Sequence, residues 1–138
     1  MVKRPELDAW FMSLAELVSQ RSTCDRAHVG CVLAKGNRLL SVGYAGSAPG
    51  APHCEDVGCD IGPHGGCIRT THAERNAVAN YHGHAGQLLG ATAYVTLSPC
   101  LDCYRYLRAH GIARVVYGTR YRLGTDHLGP ECLHYGRD

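Results

Sequence analysis

Two short stretches hold the residues best suited to chemistry. "THAERNA", Thr71 to Ala77, sets His72 two residues before Glu74 at the expected start of a helix. "SPCLDC", Ser98 to Cys103, sets Cys100 and Cys103 on a first helical turn after an apolar strand. Taken alone, Cys-x-x-Cys at a strand-to-helix junction also suits a thioredoxin-like redox pair. His72 separates the two readings, because a dithiol switch has no need of it. Two thiolates and one imidazole make a three-donor shell with the fourth tetrahedral position left for water, the arrangement of a catalytic rather than a structural zinc. The partial positive charge at a helix N-terminus favours the thiolate form that both cysteines need as ligands. Zinc brings the pKa of its water towards about 7, yet the reaction still requires a group that takes a proton and delivers it elsewhere. Glu74 has the chemistry for that task. An isolated His-x-Glu is more often a helix end with solvated side chains, and only its pairing with the cysteine stretch gives it this meaning.

The elements that must position these residues are legible in the hydrophobic period. From Pro5 to about Gln20, Leu7, Trp10, Phe11, Leu14, Leu17 and Val18 recur at three- and four-residue steps and predict an amphipathic helix. "HVGCVLA" and "RLLSVGYA", joined by Lys35, Gly36 and Asn37, predict an antiparallel hairpin. Residues 46–71 lose all period and are dominated by Gly, Pro, His and Cys, and a loop this long is uncommon unless something holds it. A helix from about His72 to Tyr81, a strand "ATAYVTL", a helix from about Cys100 to His110 and a strand "ARVVYG" follow. The shortened tail, 119–138, yields no assignment. This order describes one α/β domain over residues 1–138, a single sheet flanked by helices, with parallel neighbours in its strand-helix-strand units. Ligands in such sheets collect at the carboxyl ends of strands, where the next helices begin. His72 and Cys100 both fall at helix beginnings.

Composition narrows the partners. A chain of 138 residues fits one domain with a real core. Fourteen Lys plus Arg against twelve Asp plus Glu advertise no polyanion, so a small substrate is the more natural partner and nucleic acid is disfavoured. No stretch approaches the roughly 18 apolar residues of a membrane span, and "MVKRPELDAWF" lacks the apolar core of a signal segment, so a cytoplasmic protein is expected. In that compartment eight cysteines point to metal or chemistry rather than to disulfides.

His-x-Glu followed by Pro-Cys-x-x-Cys is the signature of zinc-dependent nucleobase deaminases. "FMSLAELVSQRSTC", "VGCVLAKGNRLLSVGYAGS", "PHCEDVGC", "GGCIRTTHAERNAV", "AYVTLSPCLDC" and "GIARVVYG" appear in family order, and from Phe11 to Gly118 the chain resembles the deoxycytidylate (dCMP) deaminase branch of the cytidine deaminase superfamily. The resemblance implies a three-layer α/β/α sandwich with a mixed, about five-stranded sheet, assembled as a homo-oligomer, commonly a hexamer in relatives. It implies catalytic zinc on His72, Cys100 and Cys103, with Glu74 as proton carrier in hydrolysis of dCMP to dUMP and ammonia. It further implies a second, structural zinc on Cys24, Cys54, Cys59 and Cys67, with His53 as an alternative ligand. A closed four-ligand shell would order the loop, whereas the bland reading leaves these as buried or free thiols. Cys31 is expected to pack as a small apolar residue, and Cys132 receives no role.

The match departs from the family at one informative place. Relatives carry Gly-Tyr-Asn-Gly after the hairpin, whose Asn contacts the nucleoside, and here "GYAGS" puts Ala45 there. Alanine supplies neither the donor nor the acceptor of the amide, which opens substrate choice to a modified cytosine nucleotide, a nucleoside or another amino-substituted ring. Candidate substrate contacts are Tyr44, Ala45 and Ser98, with Arg26, Arg69 and Arg120 for phosphate. Tyr121 is the first choice for stacking on the base, ahead of Tyr44 and Tyr104. Surface arginines and core-rim tyrosines are the ordinary alternatives. Two rival functions remain beside dCMP deamination. One is action on a purine or a nucleic-acid base, against which even charge and few aromatics argue. The other is a zinc-binding protein without turnover, since competence-associated proteins carry related sequences.

Overall fold

The computed structural model describes residues 3–23, 28–46, 71–119 and 132–135. Helix α1 runs Leu7–Ser19, but the face it buries is rotated from the one the period marks: of the expected residues Phe11 is buried and Leu14 and Val18 are half-buried, Met12 and Ala15 complete the buried side, and Leu7, Trp10 and Leu17 stay exposed. Strands β1 (Gly30–Lys35) and β2 (Arg38–Tyr44) pair antiparallel, Lys35 opposite Arg38. Gly36, at φ +60, takes the left-handed conformation that so short a reversal needs. After the long loop come helix α2 (Ala73–Ala79), a 3-10 turn (Ala85–Leu88), strand β3 (Thr92–Leu97), helix α3 (Leu101–Ala109) and strand β4 (Arg114–Thr119). Each expected element is present, with ends displaced by one or two residues from those expected. Strand β5 (Cys132–His134) comes from the tail that carried no legible pattern.

The sheet is mixed and five-stranded, ordered β2-β1-β3-β4-β5. β1 is antiparallel to both neighbours, while β3, β4 and β5 run parallel, with α3 as the crossover between β3 and β4. Alternation along the strands divides the core. Cys31, Leu33, Ala93, Val95, Val115 and Tyr117 face one layer, where Ala73 and Ala77 of α2 and Tyr104 and Leu107 of α3 cover them. Val32, Ala34, Tyr94 and Val116 face the other, under Phe11, Met12 and Ala15 of α1. This is the three-layer sandwich that the resemblance implies. Cys31 is fully buried and packs as expected; Cys132, without an expected role, is buried on β5 opposite Val115. Tyr104 is likewise a core residue, 6% exposed.

Polar pairs fix the layers to one another. Asp8 in the first turn of α1 accepts two bonds from the Arg114 guanidinium, at 3.0 and 2.6 Å, and a third from the Tyr94 hydroxyl at 2.6 Å. Among the described residues no helix is long and apolar enough to cross a membrane.

Candidate functional site

Helix α2 is seated on β2 by an absence of side chain. A Cβ on Gly43 would run into the backbone of Ala73 and Ala77, so only glycine lets the helix lie directly on the strand. Side-chain bonds then hold it there. Asn76 Nδ2 donates to the Tyr44 carbonyl at 2.8 Å and Asn80 Nδ2 to the Val42 carbonyl at 3.0 Å. These alternate carbonyls of an edge strand point away from β1, so the two amides also cover an otherwise open edge. From the strand, Ser41 Oγ donates to the Ala77 carbonyl at 2.6 Å. Gly43 and Asn76 carry roles that the reading of motifs missed, although a lone glycine inside a strand pattern is a recognised sign of close backbone approach.

So placed, α2 brings its N-cap residue His72 against the start of α3. β3 ends at Leu97, and Ser98 and Pro99, both buried, lead to Cys100 as N-cap of α3. The Cys103 amide donates to Cys100 Sγ at 3.4 Å, so a sulfur occupies the capping position. His72 Nδ1 lies 2.9 Å from Cys103 Sγ and 3.8 Å from Cys100 Sγ. The three donor atoms all lie within 4.8 Å of one another, the one such potential metal-binding group among the described residues. Glu74, two residues beyond His72, is only 4% exposed.

Charge in this cluster is unevenly shared. The hydrogen bond from the Cys103 thiol, aided by His72 and the Cys103 amide, brings Cys100 down to about 3. Cys103, holding the proton of that bond and buried, is pushed far up. His72 is raised, first by its bond to Cys100; although Cys103 is the nearer sulfur, Cys100 bears the negative charge. Burial raises the Glu74 carboxyl, against the opposing pull of its own backbone amide and of His72.

The donor set suits zinc. Tetrahedral zinc with bonds near 2.3 Å to sulfur and near 2.0 Å to nitrogen separates its donors by about 3.5–3.8 Å. The His72–Cys100 distance of 3.8 Å meets this, and the 2.9 Å His72–Cys103 distance needs only to open by less than an ångström. Two thiols and an imidazole are also the soft and borderline donors that zinc prefers.

Similarity to known proteins agrees with the geometry. The family model described as the cytidine and deoxycytidylate deaminase zinc-binding region matches residues 5–119. The chain belongs to this deaminase family. It is 37% identical over 122 residues to the ComE operon protein 2 of Bacillus subtilis, covering 88% of this chain and 64% of that one. It is 36% identical over 131 residues to the deoxycytidylate deaminase of Mycobacterium phage D29, covering 84% of this chain and 97% of the phage protein. The chain thus spans less than two thirds of the Bacillus relative's length and nearly all of the phage relative's. Among solved structures, the dCMP deaminase of cyanophage S-TIM5 in complex with dCMP and dUMP superposes with a TM-score of 0.78 at 29% identity, covering 96% of this chain and 99% of that one.

The remaining candidate residues divide. Tyr44 is half-buried at the end of β2. Ala45 is buried, and its backbone rather than its side chain does the bonding: its amide donates to Val29, and its carbonyl accepts from the Thr23 amide and the Ser22 hydroxyl. Ser98 is buried beside the cysteines. Cys24, Cys54, Cys59, Cys67, His53, Arg26, Arg69, Arg120 and Tyr121 lie outside the described residues.

Proposed function

We propose that this deaminase-family chain hydrolyses a cytosine nucleotide, dCMP, to dUMP and ammonia, with zinc held by His72, Cys100 and Cys103. The observation that carries the reading is the convergence of those three donors beside a buried carboxyl, Glu74. The phage D29 and cyanophage S-TIM5 relatives, both named for this reaction, support the choice of substrate. Bound zinc would supply a water made acidic near neutral pH, and a positive charge against the oxygen developing at C4. The chain's own residues do the rest. Glu74, raised above the ordinary carboxyl range by burial, holds a proton closer to neutral pH, where an acid-base group works best. It takes the proton that the attacking water gives up and delivers it to N3 of the ring. It then carries the proton of the C4 hydroxyl to the amino nitrogen as the C4–N bond breaks and the C4 carbonyl forms, so that dCMP and water become dUMP and ammonia.

Ala45 favours a second reading of the substrate. Its side chain offers no hydrogen bond, so recognition of the sugar falls to other residues, Tyr44 and Ser98 among them, or the amino group belongs to a modified cytosine nucleotide, a nucleoside or another ring. Arg26, Arg69 and Arg120 are the proposed phosphate contacts and Tyr121 the stacking residue. Ammonia release from a panel of cytosine, adenine and guanine nucleosides, nucleotides and single-stranded DNA separates these cases. Release from dCMP that disappears in Glu74→Gln, with zinc content kept, is the expected result. Silence across the panel would favour a zinc-binding protein without turnover.

The second zinc, on Cys24, Cys54, Cys59 and Cys67, gains support from the residues that flank them. Gly46 and Thr71 exchange two backbone bonds, at 3.1 and 2.8 Å, closing the base of the long loop, and the Thr23 amide bonds to the Ala45 carbonyl at 3.1 Å. The residue before Cys24 therefore sits at that base. Metal analysis giving two zinc ions per chain, falling to one in Cys54→Ser/Cys59→Ser, is expected; one ion in both would remove this site. A cytoplasmic, reducing setting keeps the thiols available for metal. Self-association is supported by the apolar line of Leu7, Trp10 and Leu17 along α1, exposed by 44%, 45% and 59%. A monomer by light scattering would exclude it.

A further inference from the structure

The donors of the candidate centre sit on two helices, and one contact between those helices lies outside the core. The Arg75 guanidinium carbon is 4.4 Å from the centroid of the Tyr106 ring. Arg75 follows His72 by three residues, and Tyr106 follows Cys103 by three. Residues three apart along a helix share a face. The contact of His72 with Cys103 and that of Arg75 with Tyr106 are therefore successive rungs between the same two helix faces. The second rung is backed one turn further on. The His110 ring lies 4.5 Å from Tyr106, and its Nδ1 is 2.8 Å from the Tyr106 carbonyl oxygen.

Arg75 and His110 are exposed, so hydrophobic burial does not account for the stack. Burial between α2 and α3 is already served by Ala73, Ala77, Tyr104 and Leu107. α2 has only seven residues, too few to be held firmly by its own backbone bonds, and His72 at its N-cap makes no capping bond of its own. Its inner side is fixed to β2 by Asn76, Asn80 and Gly43, and its outer side meets α3 at Arg75.

We propose that the Arg75–Tyr106 pair is a positioning brace that sets the distance of His72 Nδ1 from the Cys100 and Cys103 sulfurs, and thereby slows loss of the metal. This rests on the reading of His72, Cys100 and Cys103 as metal ligands. The brace depends on a planar cation lying over a ring, so lysine, a compact charge on a flexible stem, does not replace Arg75.

The test follows zinc leaving the loaded protein into an excess of chromogenic chelator, using the kinetic phase that Cys100→Ser removes, together with the visible spectrum of the cobalt-substituted protein. Arg75→Met and Tyr106→Leu each release zinc about two- to fivefold faster than wild type, the scale of one surface cation–π contact. The double variant adds nothing further, Tyr106→Phe releases at the wild-type rate, and the cobalt bands shift only where the stack is broken. Arg75→Lys keeps the charge and the fold and still releases faster. Arg108→Met is the control, because Arg108 bonds the Ile112 and Ala113 carbonyls at the far end of α3 and its loss costs stability without touching the brace. Wild-type release rates in Arg75→Met, Arg75→Lys and Tyr106→Leu would overturn the brace while leaving the metal reading intact. Equal acceleration in Arg108→Met would overturn it too, as a general loss of stability. A wild-type protein that takes up no zinc through His72 and the two cysteines would overturn the metal reading and the brace together.

Discussion

Gly43→Ala should damage the site and the fold together, and the structure sets the scale. The added methyl carbon would lie 2.7 Å from both the Ala73 carbonyl oxygen and the Ala77 Cα, about 0.7 Å inside the 3.4 Å where ordinary contact begins, and nearer still to the Ala77 nitrogen. All three are backbone atoms, so no rotamer change relieves the clash, and α2 must lift from β2. Forced overpacking of this kind costs on the order of 2–3 kcal/mol, or roughly 6–10 °C in the midpoint of thermal unfolding for a domain of this size. The lift needed, at least about 0.7 Å and more to clear the Ala77 nitrogen, exceeds the roughly 0.5 Å tolerance of a working site, and it carries His72 and Glu74 with it. Activity should then fall on the order of 10- to 100-fold below wild type at a temperature where the variant is still folded. Gly30→Ala supplies the comparison. Its methyl would run into the Ala15 and Ser19 backbone of α1 on the opposite face of the sheet, giving a similar thermal loss with zinc retention and turnover kept. Calorimetry, zinc analysis and ammonia release on both variants decide the matter. A Gly43→Ala protein with wild-type midpoint and turnover, or a Gly30→Ala protein as inactive as Gly43→Ala, would refute the proposed seating of α2.

Other outcomes follow from the charges. Asp8 is held below its ordinary value of 3.8, chiefly by its bond to Arg114, so its contribution is complete above that value and fades as pH falls through the lowered one. Both partners are about a third exposed, so Asp8→Asn should cost no more than about 1 kcal/mol at neutral pH. The difference between wild type and variant should close in strong acid; a gap in melting midpoint that persists there would contradict this. At the centre, Cys103 keeps its proton in the metal-free chain while Cys100 is ionised, so zinc must displace at least one proton. Apparent zinc affinity should rise about tenfold or more per pH unit around neutrality, and an indicator dye in weakly buffered solution should register the release. Uptake without proton release would show that both thiols were already ionised.

How much of this was legible beforehand depends on whether the signal was local. The extent of α1, the Gly36 turn and the apolar strands β1 to β4 are properties of short windows, and they appear where the spacing places them, whereas the face that α1 buries is rotated from the one its period marks. The same holds for the pairing of His72 with Glu74 and of Cys100 with Cys103, since each pair lies within a single turn. β5 has no signal of its own in the sequence because three residues are too few to show alternation, and it exists by pairing with β4. Asn76 and Asn80 carried no expected role, because nothing local shows that the β2 edge lies beside them.

By itself, the sequence determined the chemistry on offer: two thiols, an imidazole and a carboxyl, each at a helix start. Only the tertiary structure decided that they meet. His72 and Cys103 are separated by 31 positions and come within 2.9 Å because α2 rests on Gly43 while α3 leaves the end of β3. Burial of Glu74, and the resulting rise in its proton affinity, likewise arise from the layers closing over it. Desolvation and donor spacing depend on atoms that are distant along the chain, and residue types and periods in one segment do not encode which distant segment will lie beside it.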